Sequence, residues 1–191
     1  MSRLGDWMIT FTGKKYWPLD PRPEDVCTED IAHHLSMICR YGGACKYFYS
    51  VAQHSVILSQ LLEQERESIQ TLQWGLLHDA AEAYVGDTIR PIKRSLQEMR
   101  IIEERNIWAI SNAYNLKVSD RVVLQKVSHM DDALLFLEAE SLVEGGTKDW
   151  EYKPQRSLPP MGKIGPGLAI EPLCPMMAEQ LFLGRYKELF R

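Results

Sequence analysis

The stretch that most limits how this chain can fold is Trp74-Gly75-Leu76-Leu77-His78-Asp79-Ala80-Ala81-Glu82-Ala83-Tyr84-Val85-Gly86-Asp87. Leu72, Leu76, Leu77, Ala80 and Ala81 fall close to helical spacing, so most of it predicts a buried helix. Yet His78 and Asp79 stand side by side in the apolar run, and Glu82 follows three residues after Asp79. An uncompensated charge in such a place is costly, so it must be paired, neutralised or bound to a metal ion. Neighbours on a helix project about 100° apart, and residues one turn apart share a face. His78, Asp79 and Glu82 can therefore overlook one spot, and this helix is expected to carry half of a metal site.

Other segments offer the second half. His54 lies in an apolar run, Tyr49 to Gln64, that predicts the preceding helix and an antiparallel neighbour. Asp131 and Asp132 interrupt a third apolar helical run, Val127 to Leu135. Three helices each giving ligands to one centre is how bundles build metal sites. Two imidazoles and two carboxylates suit one divalent ion (Mn, Fe, Co, Ni, Zn or Mg) with positions left open for water. Such an open site implies metal-assisted hydrolysis. The chain carries neither a GxSxG nucleophile motif nor a GxxxxGK[ST] phosphate loop.

The rest of the chain reads as an all-α domain with little or no sheet. Residues 1–25 are irregular, with Ile9 to Phe11 a possible short strand. A helix from Thr28 is expected to reach Gly42-Gly43, and Ser68 or Thr71 opens the helix that closes at Gly86-Asp87. A charged helical run follows from Pro91 to about Tyr114. Ser119 and Asp120 precede a long amphipathic run to about Val143, and Pro175 to about Leu189 is a last helix. One domain, 1–191, is expected, with a core of about 26–143 and a loop-plus-helix extension, 144–191. Net charge is −4, so there is no global basic field for a nucleic acid polymer or a membrane. An anionic ligand needs local relief, which Arg40, Arg90, Lys93 and Arg94 can give. The four cysteines form no CxxC pair. With no signal peptide visible, they are read as reduced thiols of a cytoplasmic protein.

His54, His78-Asp79 and Asp131 together resemble the H…HD…D signature of the HD-domain phosphohydrolases. Tyr49-Ser50-Val51-Ala52-Gln53-His54-Ser55 is similar to that family's segment around its first ligand. Leu76 to Asp87, with Arg90-Pro91-Ile92-Lys93, is similar to its central motif. Asp30-Ile31-Ala32-His33 and Ile38-Cys39-Arg40-Tyr41-Gly42-Gly43 resemble upstream blocks of the branch with bacterial 5′-deoxynucleotidases and phage-type dATP triphosphohydrolases. The resemblance implies an HD-type helical bundle with His54, His78, Asp79 and Asp131 as metal ligands. Asp131 is preferred to Asp132 because it sets Glu138 at the offset where the family often carries an acid. Glu82 would orient or deprotonate the attacking water, or help protonate the leaving group. Asp87 would hold the sugar or the leaving oxygen, Arg40 and Lys93 the phosphate, and Tyr41 the base.

The implied activity is a deoxynucleotide phosphohydrolase, favoured as a dATP triphosphohydrolase that releases deoxynucleoside and triphosphate and so depletes a nucleotide pool. The alternatives are a 5′-deoxynucleotidase and a non-catalytic nucleotide-binding module. Relatives of this kind form dimers or hexamers, so self-association is expected. His33 and His34 are read as structural and His129 as capped or solvated. The tryptophans are read as core and interface anchors, Trp17 excepted as a candidate for the pocket rim. Met161 to Gly167 is read as a plain loop.

Overall fold

Ser50 starts the helix that carries His54. Its side chain accepts from the Gln53 amide, and α2 runs Val51–Gln64. Ser68 caps α3, Ile69–Leu77, in the same way through the Thr71 amide. These two helices pack very closely at Gly75. A Cβ there would lie 2.6 Å from Leu62 Cδ1 and 2.9 Å from Leu58 Cδ2, so any larger residue must displace those two buried side chains. The computed structural model describes residues 3–117, 120–155, 157–158 and 170–191. Ser119 and the stretch Met161 to Gly167 lie outside the described residues.

The helix expected to run unbroken to Gly86 does not. α3 ends at Leu77, and a short helix, α4, spans Glu82–Val85. Between them the backbone tightens to three-residue hydrogen bonds: Ala80 N to Leu77 O at 3.0 Å and Glu82 N to Asp79 O at 2.9 Å. Such tightening inside a helical run often marks a functional position. It changes the angular step between His78, Asp79 and Glu82 from that of an α-helix.

The first helix is also shorter than expected. α1 spans Thr28–Met37 and stops well before Gly42-Gly43. Ile38 and Cys39 turn extended because they pair with the residues entering α2: Arg40 N donates to Tyr49 O and Val51 N to Ile38 O. A 3-10 turn, Arg40–Gly43, follows, with Tyr41 and Gly42 at positive φ. Near the N-terminus, β1 (Met8–Ile9) and β2 (Lys15–Tyr16) form an antiparallel ribbon where one strand over Ile9 to Phe11 was expected. Asp30, fully buried, fastens that ribbon to α1 by accepting from the Thr12 amide and hydroxyl. Tyr16 is also fully buried, stacked on Tyr84 and donating to Asn106.

The run after Pro91 splits into α5, Arg90–Lys93, and α6, Gln97–Ala113. Asp120 caps α7, Arg121–Leu142, by accepting from the amides of Val122 and Val123. α8 spans Pro175–Leu189 and docks on α1 and α2. Its buried Arg185 donates to the Ser59 hydroxyl and carbonyl. The fold is all-α but for the two-stranded ribbon. Among the described residues no helix is long and apolar enough to cross a membrane. The core lies where α2, α3 and α7 meet, around Leu58, Leu76, Leu77, Met130 and Leu134.

Candidate metal centre

His54 from α2, the His78-Asp79 turn after α3, and Asp131 from α7 converge at the edge of that core. His54 Nε2 lies 3.1 Å from Asp131 Oδ1 and 3.9 Å from Asp79 Oδ2. His78 Nε2 lies 3.2 Å from Asp79 Oδ2 and 3.9 Å from Asp131 Oδ1. Each imidazole uses its other nitrogen elsewhere. Nδ1 of His54 meets Glu138 Oε1 at 2.7 Å, and Nδ1 of His78 meets the Gly75 carbonyl at 2.8 Å. Both partners are acceptors, so each Nδ1 carries the proton and each Nε2 is directed into the shared space. Both Nε2 atoms are buried and make no hydrogen bond among the described residues. They approach carboxylate oxygens closely without aligning on them, so the donors converge on a common space rather than on one another. His54, His78 and Asp131 each offer a ligand atom within 4.8 Å of the others, and Asp79 borders the same space. These residues fit a metal ion by donor type and by their unpartnered atoms.

The cluster's charges hold one another in place. Burial works to raise the Asp79 carboxyl, but the imidazoles of His78 and His54 and the Arg40 guanidinium keep it far below the usual range. Asp131, also buried, is held down at about 2 by the two imidazoles. Burial and Arg40 pull His54 down, yet Glu138 and Asp131 push it up to about 9. Glu82 goes the other way: burial, then the charges of Asp79 and Asp87, push it well above the usual carboxylate range. Its Oε2 is buried with no hydrogen-bond partner among the described residues.

Glu138 is the hub that the sequence left as an offset. It is fully buried and accepts from His54 Nδ1, from Tyr49 Oη at 2.7 Å and from Arg40 Nε at 3.1 Å. Tyr41 Oη reaches it as well, at 3.4 Å. Its identity was legible, but its partners come from segments about ninety residues away in sequence.

A cleft of about 810 Å³ opens over the cluster. Arg40, Tyr41, Asp79, Glu82, Asp87, Lys93 and Asp131 all line it. Their side chains are not equally free. Arg40 is buried against Glu138, with Nη1 3.6 Å from Asp79. Tyr41 donates to the Leu135 carbonyl at 2.7 Å. Lys93 Nζ pairs with Glu103 at 2.8 Å. Burial and the nearby Asp79 push Asp87 upward, against Arg40 and Lys93. The cleft wall interleaves basic residues (Arg40, Arg90, Lys93, Arg94) with acidic ones (Asp79, Glu82, Asp87, Asp131, Glu151).

Asp132 faces a different task from Asp131. It accepts from Tyr152 Oη at 2.6 Å and pairs with Arg90 at 2.8 Å. Arg90 also reaches Asp131 Oδ2 at 3.2 Å. His33 and His34 sit away from the cluster. His33 meets Glu179 on α8, and His34 links the Phe11 amide to the Ala83 carbonyl. Trp17, the candidate for the rim, lies under Arg3 and is not among the residues lining the cleft. Trp150 is among them, a position its surroundings in the sequence do not disclose.

The fold and site together define a helical bundle in which two histidines and two aspartates converge beneath an open cleft. No protein-family model matches the chain. The uncharacterized protein YfdR of Escherichia coli (strain K12) is 34% identical over 180 residues, covering 94% of this chain and 93% of its own length. The uncharacterized protein RCAP_rcc00048 of Rhodobacter capsulatus is 32% identical over 143 residues, 71% of this chain and 72% of that protein. The chain belongs to the family of YfdR.

Proposed function

We propose that this protein is an HD-type phosphohydrolase that uses one divalent ion to cleave deoxynucleotides at the 5′ phosphorus, favoured as a dATP triphosphohydrolase. The observation that carries the reading is the convergence of two unpartnered, buried Nε2 atoms with Asp79 and Asp131 on the floor of the cleft. His54, His78, Asp79 and Asp131 would hold the ion. When bound, a dication there supplies Lewis acidity, neutralising phosphoryl charge and making water a better nucleophile. Glu82 is the proton-transfer group, since burial, and then the charges of Asp79 and Asp87, favour a neutral carboxyl on the cleft wall. Arg40 presents a guanidinium whose position is fixed by Glu138, and a fixed fork suits a phosphate oxygen pair.

Support for a triphosphate comes from cations that continue past the cluster. Arg90, Lys93 and Arg94 line the cleft and also an adjoining groove of about 240 Å³, to which Arg100 is added. A 5′-deoxynucleotidase is the second reading, favoured by the pairing of Lys93 with Glu103 and of Arg90 with Asp131 and Asp132. To decide, the protein is incubated with each dNTP and dNMP plus Mn, Co or Zn, and phosphate, pyrophosphate and triphosphate are followed. Triphosphate release from dATP, abolished in Asp79→Ala, is the expected result. Phosphate release from monophosphates alone selects the second reading. No release from any substrate removes both.

A further inference from the structure

Helix α7 has two working faces. One carries Asp131 and Glu138 to the metal cluster. On the other, Asp132, Phe136 and Glu140 recur every four residues and so form a single stripe. The chain leaving α7 folds back along that stripe. Gly145 and Gly146, both at positive φ, make the reversal, and a Cβ at Gly146 would lie 2.8 Å from Glu140 Oε2. Thr147 then binds Glu140 through its amide and hydroxyl. Trp150 packs edge-to-face on Phe136 with centroids 5.1 Å apart. Tyr152 donates to Asp132. Three rungs thus hold residues 147–152 antiparallel to α7, and the rings of Trp150 and Tyr152 border the cleft.

Resting on the nucleotide reading above, we propose that this strap is the wall against which the substrate's planar base lies. Trp150 is the stacking residue. The cleft is much larger than a phosphate needs, and its wall changes character along its length. Cations and carboxylates surround the cluster, whereas Tyr41, Ile89, Leu135, Val143, Trp150 and Tyr152 supply apolar and aromatic surface. Phe136, under Trp150, is five residues along α7 from Asp131, or about 7.5 Å of rise along the helix axis. A pentose bridges such a distance between a 5′ phosphate at the cluster and a base on the indole. A flat aromatic face suits a base whichever groups it carries. The strap therefore provides affinity for a base, and discrimination between bases falls to the polar groups near it.

The test separates base from sugar phosphate. Binding of 2′-deoxyadenosine 5′-monophosphate and of 2-deoxyribose 5-phosphate to the manganese-loaded protein is measured by calorimetry, for wild type, Trp150→Ala and Trp150→Leu. The expected result is a loss of about tenfold or more for the nucleotide in Trp150→Ala, with the sugar phosphate unchanged. Trp150→Leu keeps apolar bulk without the flat face. It shows the same selective loss in reduced degree and guards against a variant that merely misfolds. Equal losses for both ligands, or no loss for either, overturn the proposal. Turnover of dATP is followed in the same preparations. Absence of turnover alongside selective loss of nucleotide binding removes the hydrolase reading and keeps the strap. Turnover alongside base-independent binding does the reverse.

Discussion

Glu138 on α7 accepts a hydrogen bond from Nδ1 of His54 on α2 at 2.7 Å, with both side chains fully buried. That bond fixes the imidazole's tautomer and turns Nε2 towards Asp131 and Asp79. Glu138 also binds Tyr49 and Arg40, so one carboxylate sets a metal-ligand candidate and a phosphate-binding candidate together. Removing its charge leaves the donors of His54, Tyr49, Arg40 and Tyr41 around a neutral acceptor. Glu138→Gln is expected to weaken manganese binding about 10- to 100-fold, measured by equilibrium dialysis, while circular dichroism stays helical. Unchanged affinity in a folded variant refutes this role.

Gly75 sets the distance between the two imidazole-bearing segments. Alanine there pushes on Leu58 and Leu62, and overpacking of this kind costs about 1–3 kcal/mol. At this chain length that lowers Tm by about 2–12 °C. The same strain disturbs His78, whose Nδ1 rests on the Gly75 carbonyl, so metal affinity is expected to fall with Tm. A thermal scan with and without manganese reads both.

Asp131 and Asp132 are adjacent, but their roles are separable. Asp131→Asn is expected to abolish metal binding and turnover together. Asp132→Asn is expected to retain the ion and to raise KM, because it loosens Tyr152 and Arg90 and leaves the cluster intact. Metal content by atomic absorption, set beside the kinetics, distinguishes them. Loss of metal in Asp132→Asn would exchange their assignments.

Glu82→Gln is expected to keep the ion and lose about 10²- to 10⁴-fold in kcat. With the carboxyl's pKa raised, the proton is present at low pH and lost as pH rises, so donation by Glu82 gives a falling alkaline limb in kcat. That limb disappears in the glutamine variant. A pH profile unaltered in shape assigns proton transfer to another group.

Removing the ion is expected to destabilise the fold, since a ligand bound to the native state alone raises Tm by mass action. Chelation should lower Tm in wild type and leave Asp79→Ala unmoved. Equal shifts in the two proteins place the stabilising ion outside this cluster.

The sequence by itself determined which helical runs stand against the core and which ionisable side chains interrupt them. Helical periodicity exposed His54, His78, Asp79 and the pair Asp131-Asp132 as polar groups in apolar runs, because burial repeats with the helical turn and an ionisable group breaks the pattern; the choice of Asp131 within the pair came from the resemblance. It also placed α8 at its observed bounds, where Pro175 and the chain that follows agree with local propensity. The tertiary structure decided everything that depends on a neighbour distant in the chain. Ile38 and Cys39 left the helix because Tyr49 and Val51 offered backbone partners. The helix through His78 tightened within its own run, where periodicity alone does not distinguish a three-residue from a four-residue hydrogen bond. Glu138 gained its partners, and Trp150 its place in the cleft, only when separate segments met α7. Periodicity reports which side of a helix is buried, whereas the group it meets there is fixed by long-range packing.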